Sequence, residues 1–340
     1  MSKLGREVGQ FRDPWGLVRR MLSSGDHTAR WALMHTAASR LAAPVDALLG
    51  LAEKRRGPFP ASSDLPLILV VGPPRAGTTL LYQVLARCLD VSYFDNLSAL
   101  FPRAPLTGRF LFGRPGRETG YGFRSYYGNT SGWYAPNHGF NVWDRWLGDH
   151  PYHARQSLSE AAATDMREFF DAWLERTGKP FLNKNNRNAD CVPLLAAALR
   201  NAVFIEVVRE PEYVAQSLLL ARAAIQGRAE YGWGLDSQQV ELGARREAVL
   251  DSVCDQVIRI HEKLDRAEAA AGDSRYLRIS YEDLCSDPAA IVESVAAYIP
   301  RVELRPGADL GAIGTISTRN ECRLPGSEME YIRQRLRIPT

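Results

Sequence analysis

Short apolar runs punctuate the chain, and each is followed by a turn and then by a segment whose apolar residues have helical spacing. The runs are LPLILVV (65–71), AVFIEVV (202–208), RYLRI (275–279) and a weaker FLN (181–183). Unbroken apolar runs of this length are typical of strands that are buried on both faces of a parallel sheet. The alternation of such strands with helices predicts an α/β fold with a mostly parallel sheet flanked by helices.

Capping residues indicate where two of the helices begin and end. Ser157 and Glu160 form a capping-box pattern ahead of a helix that Gly178 ends. Residues 238–271 have the spacing of one long helix, and Gly272 stands at its end.

The chain divides into an N-terminal extension and a main domain. Residues 1–62 carry apolar residues at helical spacing and end in the basic, proline-rich segment KRRGPFPASSDLP, so we expect a helical extension joined by a linker to a domain over 63–340. Within that domain, 101–155 holds 9 of the 27 glycines, 13 of the 32 aromatic residues and 3 of the 6 histidines. Long segments of this kind are commonly binding loops, so we predict a lid over an acceptor; the alternative is a surface insertion with its own aromatic core.

The composition narrows the classes of function. The 340 residues include 42 basic and 39 acidic side chains, a balance that argues against nucleic-acid binding and leaves a local anion site open. Five cysteines without a CxxC pair predict neither a disulfide framework nor a zinc site, and they suit the reducing cytoplasm. No apolar stretch is long enough for a transmembrane segment, and no signal peptide is recognisable. Five of the basic residues are lysines, so each lysine is informative.

The turn after the first apolar run is GPPRAGTT (72–79), and the segment after it is helical. A strand, a glycine-rich turn and a helix together bind phosphate, because the helix N-terminus offers unpaired N–H groups and a partial positive charge. The glycines have the spacing of the nucleotide-binding P-loop, but Thr78 stands where the phosphate-binding lysine of that motif belongs. Arg75, inside the loop, is the cation that the turn provides instead.

The second apolar run also departs from the P-loop nucleotidases. Those enzymes need a strand-end aspartate to hold Mg²⁺, whereas this run is followed by Arg209 and has Glu206 inside it. A strand-end arginine binds an anion, so two anion sites are predicted at the carboxyl edge of the sheet, at 72–79 and 209–217. The expected ligand is a nucleotide with two separate anionic groups, bound without a metal.

Four segments resemble motifs of the sulfotransferases that use 3′-phosphoadenosine 5′-phosphosulfate (PAPS) and release 3′,5′-ADP. PRAGTTLLYQVL resembles their 5′-phosphosulfate loop, and VFIEVVREPEYVAQS resembles their 3′-phosphate motif, with Arg209 and Ser217 at its arginine and serine. NKNNRNADCVPLL resembles their Asn-Lys-Asp stretch, and SYEDLCSDP resembles the opening of a late helix. The loop arginine is most similar to the tyrosylprotein sulfotransferases and their bacterial relatives. The resemblance covers 65–100 and 180–320 and implies a sulfotransferase fold.

The resemblance implies roles for individual residues. Arg75 would hold the bridging oxygen and the sulfonate, and Lys184 would stabilise the sulfonate or act as a general acid. Arg209 and Ser217 would bind the 3′-phosphate. The loop residues that would contact the 5′-phosphosulfate are Pro74, Arg75, Ala76, Gly77, Thr78 and Thr79. The alternatives are a solvated loop arginine at Arg75, a surface lysine at Lys184 and a plain helix cap in the loop.

Two further segments are candidates for contacts with the nucleotide. ISTRN (316–320) resembles a late Ser-Lys stretch of the family, so Ser317 would touch the sulfonate and Thr318 or Arg319 the 3′-phosphate. Trp233, in the glycine-flanked YGWG, would cover the adenine or the acceptor. A plain loop and a core tryptophan are the alternative interpretations.

The general base has two candidates. In the tyrosylprotein enzymes a glutamate follows the loop helix, and gapless counting places Asn96 at that position, although an amide cannot accept the proton. Asp95 is the base if the alignment shifts by one residue. His138, in the aromatic segment, is the base if an imidazole accepts the proton. Further candidates are Asp144, His150 and His153.

These observations predict a cytoplasmic enzyme that moves a sulfuryl group from PAPS to a hydroxyl or an amine. The acceptor would be a small molecule, a glycan or a glycolipid, since the aromatic residues of 101–155 suit a sugar ring, a phenol or a lipid-linked glycan alike. One alternative is a P-loop kinase or nucleotidase, which Mg²⁺-dependent ATP turnover would reveal. Another is an inactive protein that binds 3′,5′-ADP or PAPS.

Overall fold

The computed structural model describes residues 11–54, 64–113, 122–150 and 152–336. In those ranges the strands are β1 (Leu67–Val71), β2 (Ser92–Tyr93), β3 (Phe181–Lys184), β4 (Ala202–Val208) and β5 (Tyr276–Ser280). The α-helices of the same ranges are α1 (Pro14–Ser23), α2 (His27–Lys54), α3 (Thr78–Cys88), α4 (Pro105–Phe112), α5 (Phe140–Leu147), α6 (Glu160–Thr177), α7 (Val192–Ala198), α8 (Pro211–Gln226), α9 (Arg246–Ala271), α10 (Tyr281–Ser286), α11 (Pro288–Tyr298) and α12 (Gly326–Leu336).

The strands form one parallel sheet in the order β2-β3-β1-β4-β5. The first apolar run lies at its centre, where Val70 is level with Lys184 of β3 and Val71 is level with Glu206 of β4. Because the pairs are parallel, the carboxyl ends of β1, β3 and β4 meet at one edge. The four predicted strands are confirmed, and the two-residue strand β2 was missed because it is too short to show a pattern.

The sheet is covered on both faces, which explains why β1 is apolar throughout. Leu67, Leu69 and Val71 pack into a cluster with α6 and α9, whereas Ile68 and Val70 pack into a cluster with α3 and α11. All five residues of β1 are at most 1% exposed. The prediction of an α/β fold with a parallel sheet flanked by helices is therefore confirmed.

Part of the aromatic segment 101–155 belongs to the main core. Trp143 and Trp146 of α5 are buried and pack against Phe170, so they are not available to close over a ligand. These two side chains therefore belong to the main core, and the role of 101–155 as a lid over an acceptor stays a prediction. Residues 114–121 and 151 lie outside the described residues.

Helices α1 and α2 lie in the segment expected to form the N-terminal extension, and α1 packs on α8. The guanidinium of Arg20 in α1 donates to the carbonyl oxygens of Ala224 and Ile225 at the end of α8, at 2.9 and 3.1 Å. Leu17 and Met21 pack against Ile225. Residues 1–10 and 55–63, which include most of the predicted linker, lie outside the described residues.

Two predicted helix starts are wrong, although Gly178 and Gly272 do end their helices. Helix α6 begins after Ser159 rather than at the predicted Ser157, because the Ser159 hydroxyl accepts from the N–H of Ala162 at 3.2 Å. Helix α9 begins at Arg246 rather than near 238, and Gly243 upstream has φ 81°.

The cap of α6 can be tested by substitution. We expect Ser159→Ala to lower the free energy of unfolding by about 1 kcal/mol, since the orphan N–H of the first turn loses its acceptor. Ser157→Ala is the matched control, with an expected change within about 0.5 kcal/mol. Urea denaturation of the two variants would measure both values, and equal losses would contradict the observed cap.

Candidate functional site

The loop between β1 and α3 is shaped by two glycines at positions that no other residue fills without strain. Gly72 has φ 138°, and a Cβ there would lie 2.9 Å from the carbonyl oxygen of Val207 in β4. Gly77 has φ 102°, and a Cβ there would collide with the ring of Tyr281. The loop therefore runs against β4 on one side and against α10 on the other.

Arg75 occupies the turn of this loop in a left-handed conformation, φ 76°, which is rare for a residue with a side chain. Its Nε donates to the hydroxyl of Ser217 in α8 at 3.0 Å, and its guanidinium lies 5.0 Å from the ring centroid of Tyr127. Burial lowers the pKa of Arg75, and the nearby charges of Arg209 and Arg319 contribute to the shift. Backbone strain of this kind concentrates at functional sites.

The first turn of α3 is open to an anion. Its N-cap, Gly77, has no side chain that could accept from the free N–H groups of the turn. Thr78 is buried and Thr79 is half-buried, so hydroxyl and N–H donors lie together behind Arg75. An uncapped N-terminus after a glycine-rich loop is a binding site for phosphate or sulfate.

Arg209 follows β4 directly and joins two loops that are distant in the sequence. It donates through Nε to Asn320 at 2.9 Å, through one terminal nitrogen to the carbonyl of Arg75 at 2.7 Å, and through the other to the carbonyl of Arg319 at 2.8 Å. Its guanidinium also lies 4.5 Å from the ring centroid of Tyr281. A guanidinium has five N–H donors, so two remain for a ligand.

Only some of the residues in segment 316–320 that were expected to contact the nucleotide lie near Arg75. Arg319 lies close enough to influence the charge of Arg75, and its backbone N–H donates to the Tyr281 hydroxyl at 3.2 Å. Ser317 and Thr318, by contrast, have exposed side chains. Asn320, which the sequence analysis did not single out, holds Arg209 in place. Tyr281 was missed as well, since neither residue stands out by type or spacing.

Lys184 is the last residue of β3 and lies at the same sheet edge. Its side chain is buried, and burial, with a further contribution from the charge of Arg75, lowers its pKa to about 7. The structure thus excludes the alternative of a surface lysine. In the part of the chain that the structure describes, no carboxylate pairs with Lys184. A buried ammonium group without such a partner is costly, and a bound anion would offset that cost.

Burial lowers the pKa of the His138 imidazole well below 6.5, and the charge of the nearby Lys184 lowers it further. Among the described residues nothing hydrogen-bonds to its Nε2 atom, although the atom is buried. Gly128, with φ 96°, leaves room for the ring, since a Cβ there would lie 2.7 Å from the Cε1 atom of His138. The ring is therefore neutral at pH 7 and has a nitrogen available for a proton.

The carboxylate of Asp95 is engaged by a hydrogen bond and an ion pair. Its carboxylate is fully buried, accepts from the N–H of Ser98 at 2.7 Å and forms an ion pair with Arg109. Asn96, the residue that gapless counting indicated, donates to the carbonyl of Gly132 at 2.7 Å. Asp95 is thus tied to Ser98 and Arg109, whereas Asn96 fastens the segment that precedes His138, and neither side chain offers a free proton acceptor.

The remaining base candidates are engaged or exposed. Asp144 forms an ion pair with Arg187 at 2.9 Å. The rings of His150 and His153 lie with their centroids 4.8 Å apart at an angle of 31°, and His153 lies 3.7 Å from a carboxylate oxygen of Asp236.

Trp233 lies beside the loop between β1 and α3. Its ring makes an edge contact with Tyr127 at 5.8 Å between centroids, and its carbonyl accepts from Gln256 at 3.0 Å. A Cβ on the next residue, Gly234, would lie 3.4 Å from Pro74. Tyr127, which the sequence analysis missed, therefore links Arg75 to Trp233, and its own φ of 48° marks it as a strained position.

Three cations, Arg75, Lys184 and Arg209, thus gather around the N-terminus of α3. The ion pairs found among the described residues leave all three without a carboxylate partner. Glu206 of β4 does not compensate them, because it accepts from Tyr276 and Arg278 of β5. The site therefore has a net positive charge and can bind a ligand with several anionic groups.

In the described part of the chain, His, Cys, Asp and Glu side chains form no cluster of three or more that could hold a metal ion. A search of the same residues for a helix that is both long and apolar enough to cross a membrane finds none.

A family model described as "Sulfotransferase family" matches residues 66–300. The chain resembles sulfotransferase STF1 from Mycobacterium tuberculosis H37Rv with 15% identity and a TM-score of 0.53, over 98% of this chain and 94% of that one. It also resembles sulfotransferase STF9 from Mycobacterium avium with 12% identity and a TM-score of 0.51, over 80% of this chain and 68% of that one. No curated protein matches the chain.

Proposed function

The chain belongs to the sulfotransferase family, and from that premise we propose that it transfers the sulfuryl group of PAPS to a hydroxyl or amine and releases 3′,5′-ADP. The observation that carries the proposal is a set of three cations, without carboxylate partners among the described residues, around the uncapped N-terminus of α3. PAPS has anionic groups at both ends of its nucleoside, which suits two separated cationic sites. The finer resemblance to the tyrosylprotein branch stays a prediction.

Arg75, Lys184 and the N–H groups of α3 support binding of the 5′-phosphosulfate. In the transfer, the bond between sulfur and the bridging phosphate oxygen breaks while a bond forms between sulfur and the acceptor oxygen. Negative charge then grows on the phosphate oxygen, and Arg75 and Lys184 are the fixed cations nearest to it in this arrangement. Arg209 supports binding of the 3′-phosphate through its two remaining N–H donors.

We assign the general base to His138. The acceptor hydroxyl loses its proton as the new S–O bond forms, and the Nε2 atom of His138 is a buried, neutral acceptor next to Lys184. The alternative base, Asp95, already shares its charge with Arg109. Membership of the family argues against the kinase alternative, and turnover would exclude the inactive binding protein.

The direct test is sulfuryl transfer from ³⁵S-labelled PAPS to a panel of phenols, sugars and glycolipids. The proposal expects labelled product with at least one acceptor class and unchanged turnover in EDTA. If 3′,5′-ADP binds but no acceptor in the panel is labelled while free PAPS is neither hydrolysed nor consumed, the chain is a binding protein.

Two cationic sites also predict a preference among nucleotides. We expect 3′,5′-ADP to raise the melting temperature far more than 5′-AMP does, because only the former reaches both sites and ligands stabilise the state that they bind. Thermal shifts with and without EDTA measure this, and equal shifts for the two nucleotides would contradict the two-site arrangement.

The two arginines have separable roles. Arg209→Ala should weaken 3′,5′-ADP binding by about 10- to 150-fold, the equivalent of roughly 1.5–3 kcal/mol for charge-assisted hydrogen bonds, because the 3′-phosphate does not react. Arg75→Ala should lower kcat more than affinity, because its charge matters most as the bridging bond breaks. Identical kinetic patterns for the two variants would show that these assignments are wrong.

A further inference from the structure

The segment that follows β3 carries a polar atom whose hydrogen bond is not supplied by the protein. Among the described residues, nothing bonds to the Oδ1 atom of Asn186 or to the Nε2 atom of His138, although both atoms are shielded from solvent. Such atoms are uncommon in folded proteins, because a buried polar group without a partner loses its hydrogen bonds to water and gains none in return. A ligand with matching polar groups would complete both.

Asn186 lies on the same side of the sheet as Lys184. The residue between them, Asn185, is extended, with φ −134° and ψ 128°, so the alternation of side chains along β3 continues to Asn186. On this side of the sheet, Leu182 of β3 and Val70 of β1 pack in the cluster that contains residues of α3. Asn186 therefore follows Lys184 on the side of the sheet that holds α3.

The segment around His138 is fastened to the same stretch. Backbone carbonyls on either side of His138 accept hydrogen bonds from residues on either side of 184–186. The pairs are Asn183 to Asn137 at 3.2 Å and Arg187 to Phe140 at 2.9 Å. His138 therefore lies opposite 184–186, and the charge of Lys184 is close enough to lower the pKa of its imidazole. The Oδ1 atom of Asn186 and the Nε2 atom of His138 thus belong to one site beside Lys184.

The charges at this site argue against an amine as the acceptor. The acidic residues that meet the stretch are engaged by cations, in the pairs Asp144 with Arg187 at 2.9 Å and Asp190 with Lys263 at 2.5 Å. The charge that reaches His138 is that of Lys184, and an acceptor with an ammonium group would have to approach it. Like charges repel, so the site favours a neutral acceptor whose reacting group is a hydroxyl.

The Oδ1 atom of Asn186 indicates that the acceptor has more than one hydroxyl. The reacting hydroxyl gives its proton to the Nε2 atom of His138, in the role proposed above. An acceptor without another polar group would leave the Asn186 oxygen against apolar atoms, at the cost of a buried group without a hydrogen bond. A second hydroxyl would donate to that oxygen while its own oxygen still accepts.

We propose that the acceptor is a polyol, such as a sugar or a cyclitol, and that Asn186 binds a hydroxyl beside the one that receives the sulfuryl group. This inference rests on the proposed sulfuryl transfer and names the chemical class of its acceptor.

The test compares acceptors that share a six-membered ring and differ in their polar groups. Transfer from ³⁵S-labelled PAPS is measured with cyclohexanol, cyclohexylamine, myo-inositol and the methyl glycosides of glucose, galactose and mannose. We expect at least one polyol to have a kcat/KM per hydroxyl about 10- to 100-fold above that of cyclohexanol, because only a polyol completes the hydrogen bond of Asn186. Cyclohexylamine should be the poorest acceptor.

The variant Asn186→Leu keeps the approximate volume of the side chain and removes its oxygen. We expect it to lower kcat/KM for the preferred polyol by about 10- to 100-fold and to leave kcat/KM for cyclohexanol within about twofold. Its melting temperature and its binding of 3′,5′-ADP should be unchanged, because no protein group loses a bond to Oδ1. The matched control is Asn201→Ala, which removes a hydrogen bond to the carbonyl of Leu65 at the opposite edge of the sheet and should leave both rates unchanged.

Three results would overturn the inference and leave the proposed sulfuryl transfer standing. The first is equal kcat/KM per hydroxyl for cyclohexanol and every polyol. The second is an Asn186→Leu variant with the acceptor preference of the unchanged protein, since water alone would then complete the Asn186 oxygen. The third is a fall in its melting temperature of several degrees, which would show a structural role. Absence of labelled product from every compound, with 3′,5′-ADP still bound, would instead remove the proposed function, and this inference with it.

Discussion

Replacement of Lys184 by methionine is expected to lower kcat with PAPS by about 10²- to 10³-fold, the usual effect of removing one preorganised charge from a transition state. Lys184 is buried at the end of β3, and water cannot replace it there. Loss of activity through unfolding is not expected, because exchange of a buried, unpaired ammonium group for an apolar side chain of similar volume removes a desolvation cost. The matched control is Lys179→Met, which removes a partly exposed lysine paired with Asp90 and should leave kcat unchanged.

The pKa of Lys184 gives this prediction a second readout. Because burial and Arg75 lower that pKa to about 7, the free enzyme loses the Lys184 charge as the pH rises through 7. We therefore expect kcat/KM to fall on the alkaline side of neutrality, and this limb should be absent in Lys184→Met. Bound PAPS stabilises the cation, so the corresponding limb of kcat should lie at higher pH. A flat profile between pH 6 and 9 would show that Lys184 does not act as a cation.

Substitution of His138 by glutamine should lower kcat by about 10²- to 10⁴-fold, the range typical of a lost general base, while 3′,5′-ADP binds as before. The measurement should use an alcohol acceptor, since a phenol ionises readily and masks the loss of a base. Normal turnover in His138→Gln with such an acceptor would move the search to a proton passed through water.

Asp95→Asn is the informative comparison for His138→Gln, because it should lower the free energy of unfolding rather than kcat. Removal of one partner of a buried ion pair costs about 3 kcal/mol, and the Arg109 charge is then left without its carboxylate. Turnover per folded molecule should stay near normal. The position of the acid limb of kcat/KM cannot separate the two candidates, because the pKa of His138 is itself lowered below its usual range. The variants must therefore decide the question.

Much of the sheet and the conformation of the glycine-rich loop after β1 could be predicted, because both depend on local patterns. A strand covered on both faces is mostly apolar, as β1 is throughout and β4 is apart from Glu206, and the pattern is visible without knowledge of its neighbours. The loop after β1 needs glycine where φ is positive, so Gly72 and Gly77 were also recognisable. Arg75, Lys184 and Arg209 lie together because parallel strands bring their carboxyl ends to one edge.

Residues whose surroundings are set by distant parts of the chain could not be assigned correctly from the sequence. Asp95 and His138 were equivalent as ionisable residues, and only Arg109, which lies fourteen positions beyond Asp95, removes Asp95 from consideration. Trp143 and Trp146 were read as part of a lid because the core that buries them is made by α6. Tyr127 was missed because its place over Arg75 comes from a short turn with no repeating pattern.

The hydrogen bonds of Arg209 also bear on how the chain folds. They join Arg75, 134 positions earlier in the chain, to Arg319, 110 positions later. Contacts between such distant parts of a chain form late, because bringing the two parts together costs the entropy of closing a long loop. A refolding or newly synthesised chain therefore acquires its proposed nucleotide site only after β5 and the loop that follows α11 are in place. Nucleotide binding during refolding would mark the completed domain, and no intermediate that has the sheet alone would bind.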